Sequence, residues 1–180
     1  MTALSPLLLW LLQDEETFTL KVHLSGVKTA LAASDIANGF SKIPGVIRAD
    51  PKFDEGLVVV TFDAAKPLRP REFETALGKK GTIKDLVLDR MPGKASRRGA
   101  TLLFTSRAGI EHVLEQSDSG GVMGAEEQLP FIEKKIDEAK PWFWISGRLR
   151  VERTVDRKTR KETETLRIDV RKAVWFSHDE

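Results

Sequence analysis

The sequence predicts an α+β fold, and three observations predict it. Apolar side chains alternate at Phe18, Leu20, Val22 and Leu24, which is the pattern of a half-buried strand. Ala30, Ala33, Ala37 and Phe40 then recur at three- and four-residue steps, with Ile36 and Ile43 widening the stripe, as one buried helix face requires. The two periods go on alternating between turn residues, and two long alternating runs close the chain.

The elements follow in order. Thr17 to Leu24 reads as the first strand, and Gly26 permits a tight turn after it. The helix from Lys28 to Lys42 stops at Pro44-Gly45. Val46 to Phe53 reads as a second strand, with Asp54-Glu55-Gly56 as its hairpin turn. Leu57 to Phe62 is apolar on both faces and is expected to be central. Pro67 to Pro70 leads into a second helix, where proline is accepted in the first turn. Phe73, Ala76 and Leu77 face inward, and Gly78 and Gly81 end it. Thr82 to Leu88 is a fourth strand whose alternation breaks at Leu86-Val87-Leu88, through a bulge or burial on both faces. The order is βαββαβ, that of a ferredoxin-like sandwich, in which both helices cover one face of a four-stranded sheet.

Residues 91–99 are rich in Pro, Gly, Lys and Arg and read as a linker. Ala100 to Thr105 is a strand. Gly109 to Gln116 reads as a short helix with Ile110, Val113 and Leu114 inward. Ser117 to Gly124 is a Gly/Ser loop. Pro130 to Lys140 is a helix with Ile132 and Ile136 inward. Trp142 to Arg153 and Thr163 to Phe176 are strands joined by a charged turn. The expected organisation is an apolar segment over 1–16, a ferredoxin-like domain over 17–90, a linker over 91–99, and a C-terminal α+β region over 100–180 with a long β-hairpin.

Composition excludes several classes of function. The 180 residues are 41% hydrophobic and 31% charged, so the chain can build a core and is not disordered as a whole. The net charge of +2 exerts no strong overall pull towards nucleic acid or membrane. The chain has no cysteine, which excludes disulfides, thiolate metal sites and cysteine nucleophiles. The apolar run Leu4 to Leu12 is far short of the roughly 20 residues that cross a bilayer, so no transmembrane span is expected. It fits either the apolar core of a secretory signal or a short packing helix, although no Lys or Arg precedes it and no small-residue cleavage pattern follows. An exported or periplasmic location is marginally favoured over a cytoplasmic one.

The strand ending at Leu24, the turn Gly26-Val27, the helix after it and Pro44-Gly45-Val46 together resemble the heavy-metal-associated (HMA) domain of copper chaperones and metal-pumping ATPases. The resemblance covers about the first half of the chain, and Gly45 follows Gly26 at the family's usual interval. It implies a metal loop of the form Gly-Met-x-Cys-x-x-Cys. On that register Val27 takes the methionine position, and Thr29 and Ala32 take the two cysteine positions. Soft metals need thiolate or thioether ligands, so Gly26, Val27, Thr29 and Ala32 form a degenerate loop. No metal site and no cofactor is expected there. His23 lies nearby on the first strand, but one imidazole does not make a site.

Other chemistry is sparse. His112 is placed on the short helix beside Glu111 and Glu115, as a surface ion pair or half a metal site. His178 lies within the last three residues. The chain has no paired-histidine zinc motif, no nucleophile elbow and no phosphate loop, so no catalytic residue is assigned and no enzyme is expected.

The final hairpin carries the remaining candidates. Phe143, Ile145, Leu149 and Val151 share one face of its first strand, and Leu166, Ile168, Val170, Val174 and Phe176 share one face of its second. The opposite face gathers Trp142, Trp144, Arg148, Arg150, Arg167, Asp169, Arg171 and Trp175. A matching register sets Arg148 opposite Asp169 and Trp142 opposite Trp175. This face reads as a solvated surface with arginines over rings, as a cover for the open sheet of the first domain, or as a stacking surface for single-stranded nucleic acid. The function expected is that of a non-catalytic binding or accessory protein on an HMA-like scaffold. Its contact for a protein partner would be the open sheet or the Trp/Arg hairpin. Metal handling through non-cysteine ligands is the alternative, and nucleic-acid binding through the hairpin is the third.

Overall fold

A computed structural model describes residues 17–117, 128–157 and 159–176. The expected apolar segment over 1–16, positions 118–124 of the Gly/Ser loop, and His178 lie outside the described residues. The elements are β1 (Thr17–Ser25), α1 (Ala30–Phe40), β2 (Val46–Lys52), β3 (Leu57–Asp63), α2 (Pro70–Leu77), β4 (Thr82–Arg98), β5 (Thr101–Ser106), β6 (Glu111–Gln116), α3 (Gln128–Asp137), β7 (Trp142–Val155) and β8 (Glu162–Trp175). The fold is mixed α+β, as the two interleaved periods predict.

The first four strands pair antiparallel in the order β2-β3-β1-β4. Alternation sends Phe18, Leu20 and Val22 of β1 and Val58, Val60 and Phe62 of β3 into one core with Ile36, Phe40, Phe73 and Leu77 of the two helices. The rings of Phe40 and Phe73 meet edge-on at 5.1 Å, a geometry that adds about 0.5–1.5 kcal/mol to simple burial. Ala30, expected in the buried stripe, is exposed, because α1 begins there and its inward face starts at Ala33. Gly45 has φ +94, and a Cβ there would lie 2.7 Å from the Phe62 ring. Both the dihedral and the space therefore demand glycine where α1 hands over to β2.

β4 does not end at Leu88. It runs on to Arg98, so the expected linker over 91–99 is strand up to that residue. A bulge at Asp89-Arg90 interrupts its register with β7 between Leu88 and Met91. Beyond the bulge Met91 and Ala95 turn inward and are buried. Pro and Gly suggest a linker, yet Gly93 and Pro92 sit in a strand that bends, which is where such residues are tolerated. Arg90 holds φ 58 at the bulge. Its backbone N–H donates to Ser146 Oγ at 2.9 Å, and that hydroxyl donates to Asp89 Oδ1 at 2.9 Å.

The second half of β4 opens a closed ring. β4 pairs with β5, β5 with β6, β6 in parallel with β8, β8 with β7, and β7 again with β4. Residues 111–116, expected as part of a short helix, form β6. The spacing of Ile110, Val113 and Leu114 fits either period, since short apolar runs do not separate helix from strand. Pairing on both sides decides for strand. α3 contributes Ile132 to the ring's core, and Phe131 meets Phe143 edge-on at 6.1 Å. Gly147 lets β7 and β8 close up, because a Cβ there would overlap the Asp169 carbonyl oxygen.

The C-terminal strands therefore extend the first sheet sideways through β4. One register row crosses seven strands, through Asp50, Val59, Lys21, Val87, Arg148, Asp169 and Glu115. At the far edge, β2 carries Pro51 and a register irregularity between Val46 and Arg48, features that discourage pairing with another chain.

Candidate contact surface

The surface is built by two bulges facing each other across β7. On β8 the register passes from Val170 opposite Gly147 to Lys172 opposite Ser146, so Arg171 is the extra residue. One inserted residue reverses a period of two. Val170 faces the core. Beyond the bulge Ala173 is buried and Trp175 packs against the core, while Val174 is 39% exposed opposite Trp144. This corrects two expectations. Val174 and Phe176 do not continue the inner face of Leu166, Ile168 and Val170. Trp175 stands opposite Phe143, not Trp142.

The aromatic residues accordingly separate. Trp175 sits beneath Lys135 and Lys140, whose ammonium groups lie 5.6 and 5.2 Å from the ring centroid. On the outside of the ring of strands, Trp144 stacks on Phe176 at 4.6 Å with 20° between planes, and Trp142 lies 6.3 Å from the same phenyl ring. The Arg90 guanidinium lies 4.9 Å over Trp144. Trp144 Nε1 is buried with no hydrogen-bond partner among the described residues. Beside the stack is a pocket of about 430 Å³ lined by Asp89, Arg90, Trp144, Ser146, Lys172 and Val174.

The arginines separate too. Arg148 Nε donates to Asp85 Oδ1 at 2.7 Å. Arg150 reaches Glu115 at 2.7 Å and also Asp169. Arg167 joins Glu152 at 2.7 Å and Glu115 at 2.5 Å, and these bonds hold its guanidinium above the usual arginine range. Arg153 forks onto both carboxylate oxygens of Glu74 on α2 at 3.0 Å. Arg171 and Lys172 differ: among the described residues neither forms an ion pair, and Arg171 Nε is buried with no hydrogen-bond partner.

Of the residues expected at this face, the structure thus keeps Trp142 and Trp144 together, moves Trp175 under α3, and gives Arg148, Arg150 and Arg167 carboxylate partners. Sequence reasoning missed Arg90, Lys172, Val174 and Phe176 as members. The pair Arg171-Lys172, two polar residues in a row within an alternating strand, was the available signal for three of them. No local signal marked Arg90.

His112 is on β6, not on a helix, and it is almost fully buried. Its Nδ1 lies 3.3 Å from the Phe104 carbonyl oxygen, to which a neutral ring donates. Nε2 has no partner among the described residues. Burial pushes its pKa down to about 4. Glu111 instead pairs with Arg98 at 2.9 Å and Glu115 with the β7–β8 arginines, so the expected surface pairing of His112 does not form.

The loop from Gly26 to Thr29 has a structural use. Thr29 is the N-cap of α1, and its hydroxyl accepts the Ala32 N–H at 3.1 Å. Gly26 turns the chain with φ +80 and Val27 packs against the core. No group of three or more metal-ligating side chains occurs among the described residues. A larger groove of about 520 Å³ runs between α1 and α2. Its two arginines, Arg69 and Arg71, pair with Glu72 at 3.6 Å and Glu162 at 3.3 Å. Among the described residues no helix is long and apolar enough to cross a membrane. No family model, curated protein or solved structure matches the chain.

Proposed function

We propose that the chain is a non-catalytic binding protein, with a ferredoxin-like first half as scaffold and the pocket beside Trp144 as contact surface. The connectivity β1-α1-β2-β3-α2-β4 with spatial order β2-β3-β1-β4 supports the ferredoxin-like reading. The cap formed by Thr29 supports a resemblance to the heavy-metal-associated domain in which the metal loop has become a helix start. One observation carries the proposal. At a single pair of bulges, a Trp–Phe stack coincides with the two β8 cations that hold no carboxylate among the described residues. Tryptophan and arginine dominate interface energetics because they bury large areas and make strong polar contacts at once.

The test is capture of partners by the whole chain from cells that express it. The Lys172→Glu, Val174→Glu variant is run beside Arg148→Gln as a surface control. A partner kept by the wild type and the control but lost by the pocket variant supports the reading. An unchanged set of partners would sink it.

A second reading, single-stranded nucleic acid, is favoured by the ring of strands. Five strands closing as β4-β5-β6-β8-β7, with parallel β6–β8 and a helix before β7, is the plan of the oligonucleotide/oligosaccharide-binding barrel. That support is fold analogy, since one fold hosts many functions. Binding to oligothymidylate that weakens steeply with salt would carry it, and no binding at low salt would end it.

A further inference from the structure

Resting on the reading of the Trp144 pocket as a contact surface, we infer that its ligand is an acidic polypeptide segment with apolar side chains between its carboxylates. The pocket and its margin supply what such a segment needs. Arg171 and Lys172 occupy the β8 bulge without ion-pair partners among the described residues, and Lys94 stands exposed opposite Trp142. The carboxylate that lines the pocket, Asp89, accepts from Ser146. Cations left unneutralised at a surface whose other arginines are paired mark where an incoming anion gains most. Lys172 is exposed and lines the pocket, so its ammonium is within reach of an incoming carboxylate.

The apolar part selects polypeptide over nucleic acid. Phe176 and Arg90 already engage Trp144, and two lysines lie over Trp175. Flat ring faces of the kind that bases stack upon are therefore largely engaged inside the chain. What remains beside the cations is a pocket with Trp144 and Val174 on its wall, which fits an aliphatic side chain. Spacing an acid and an aliphatic residue two positions apart places both on the face of a strand-like segment that meets the pocket and the bulge.

The inference is tested by fluorescence anisotropy of the whole chain with a labelled Glu–Leu peptide, in which Glu and Leu take turns at every second position and Ser lies between. A Lys–Leu peptide and oligothymidylate are the comparison ligands. The expected result is saturable binding of the Glu–Leu peptide that weakens as salt rises. Arg171→Gln with Lys172→Gln should weaken it about tenfold, the loss of roughly one charged hydrogen bond. Arg148→Gln should bind like the wild type. Lys172→Gln alone, at an exposed position, covers the case in which the double variant unfolds, and should weaken binding severalfold. The inference is overturned if the Glu–Leu peptide does not bind, if these variants bind it unchanged, or if the Lys–Leu peptide binds equally well. Oligothymidylate binding lost in the variants, with no peptide binding, overturns the inference and leaves the contact surface standing. If no ligand responds to the variants and cellular partners survive Lys172→Glu, Val174→Glu, the contact surface fails as well.

Discussion

Arg148 stands directly opposite Asp169 in the β7–β8 ladder, yet its guanidinium turns the other way, to Asp85 on β4 at 2.7 Å. Asp169 is taken by Arg150, which also holds Glu115 on β6. The charges thus tie four strands together, and an Arg148–Asp169 pair does not form. Both ends of the Arg148–Asp85 contact reach solvent, so the contact is worth little on its own. Arg148→Gln should cost less than about 1 kcal/mol, and urea unfolding at low and high salt should show the cost shrinking as salt rises. A cost of several kcal/mol would mean that the lattice acts as a cooperative unit.

His112 should make the protein acid-sensitive. Its native pKa, about 4, lies below the ordinary 6.5. Above pH 6.5 the ring is neutral in both states and contributes no pH dependence. As pH falls from 6.5 towards 4, the unfolded chain takes up a proton that the native state refuses. Stability is then lost, by about 3 kcal/mol at pH 4. The difference in urea midpoint between wild type and His112→Leu should shift in favour of the variant as pH falls across this range. Parallel curves would show that His112 is not buried as described.

Gly147→Ala should be strongly destabilising, because the added methyl would overlap the Asp169 carbonyl oxygen and touch Ile168. Backbone has little room to yield in a closed ring, so a loss of about 3 kcal/mol is expected, at the upper end for overpacking. Thermal unfolding measures it, and a loss below about 0.5 kcal/mol would contradict the close approach of β7 and β8.

Thr29→Ala removes the cap of α1 and should cost about 1 kcal/mol. Metal analysis of the purified wild type and variant, with copper and zinc titrations, should show no difference between them. Metal bound by the wild type and lost in the variant would revive the metal-handling alternative.

Local pattern was enough for much of the fold. β1, α1, β3, α2, α3 and the long hairpin all follow from period and punctuation, because each buries one face against a partner and so must repeat at its own pitch. It failed where pattern and composition conflicted. Pro92 and Gly93 masked the second half of β4, and the short run around His112 fitted both periods. The candidate surface was read in part. Alternation puts Trp142 and Trp144 on one side of β7, where both rings meet Phe176, but the inserted Arg171 sends Trp175 inward and brings Phe176 out to the stack.

By itself, the sequence determined the α+β class, the interleaved order of the first six elements, the absence of thiolate chemistry and the facing of Arg148 and Asp169. Each rests on residue type or on the repeat of a single element. Only the tertiary structure decided that β4 bends to serve both the first sheet and a closed ring, that His112 is enclosed, and which carboxylates Arg148, Arg150 and Arg167 take. Those outcomes depend on bulges and on pairings between distant strands, whose register is set by how neighbouring strands pack and not by any one strand's own residues.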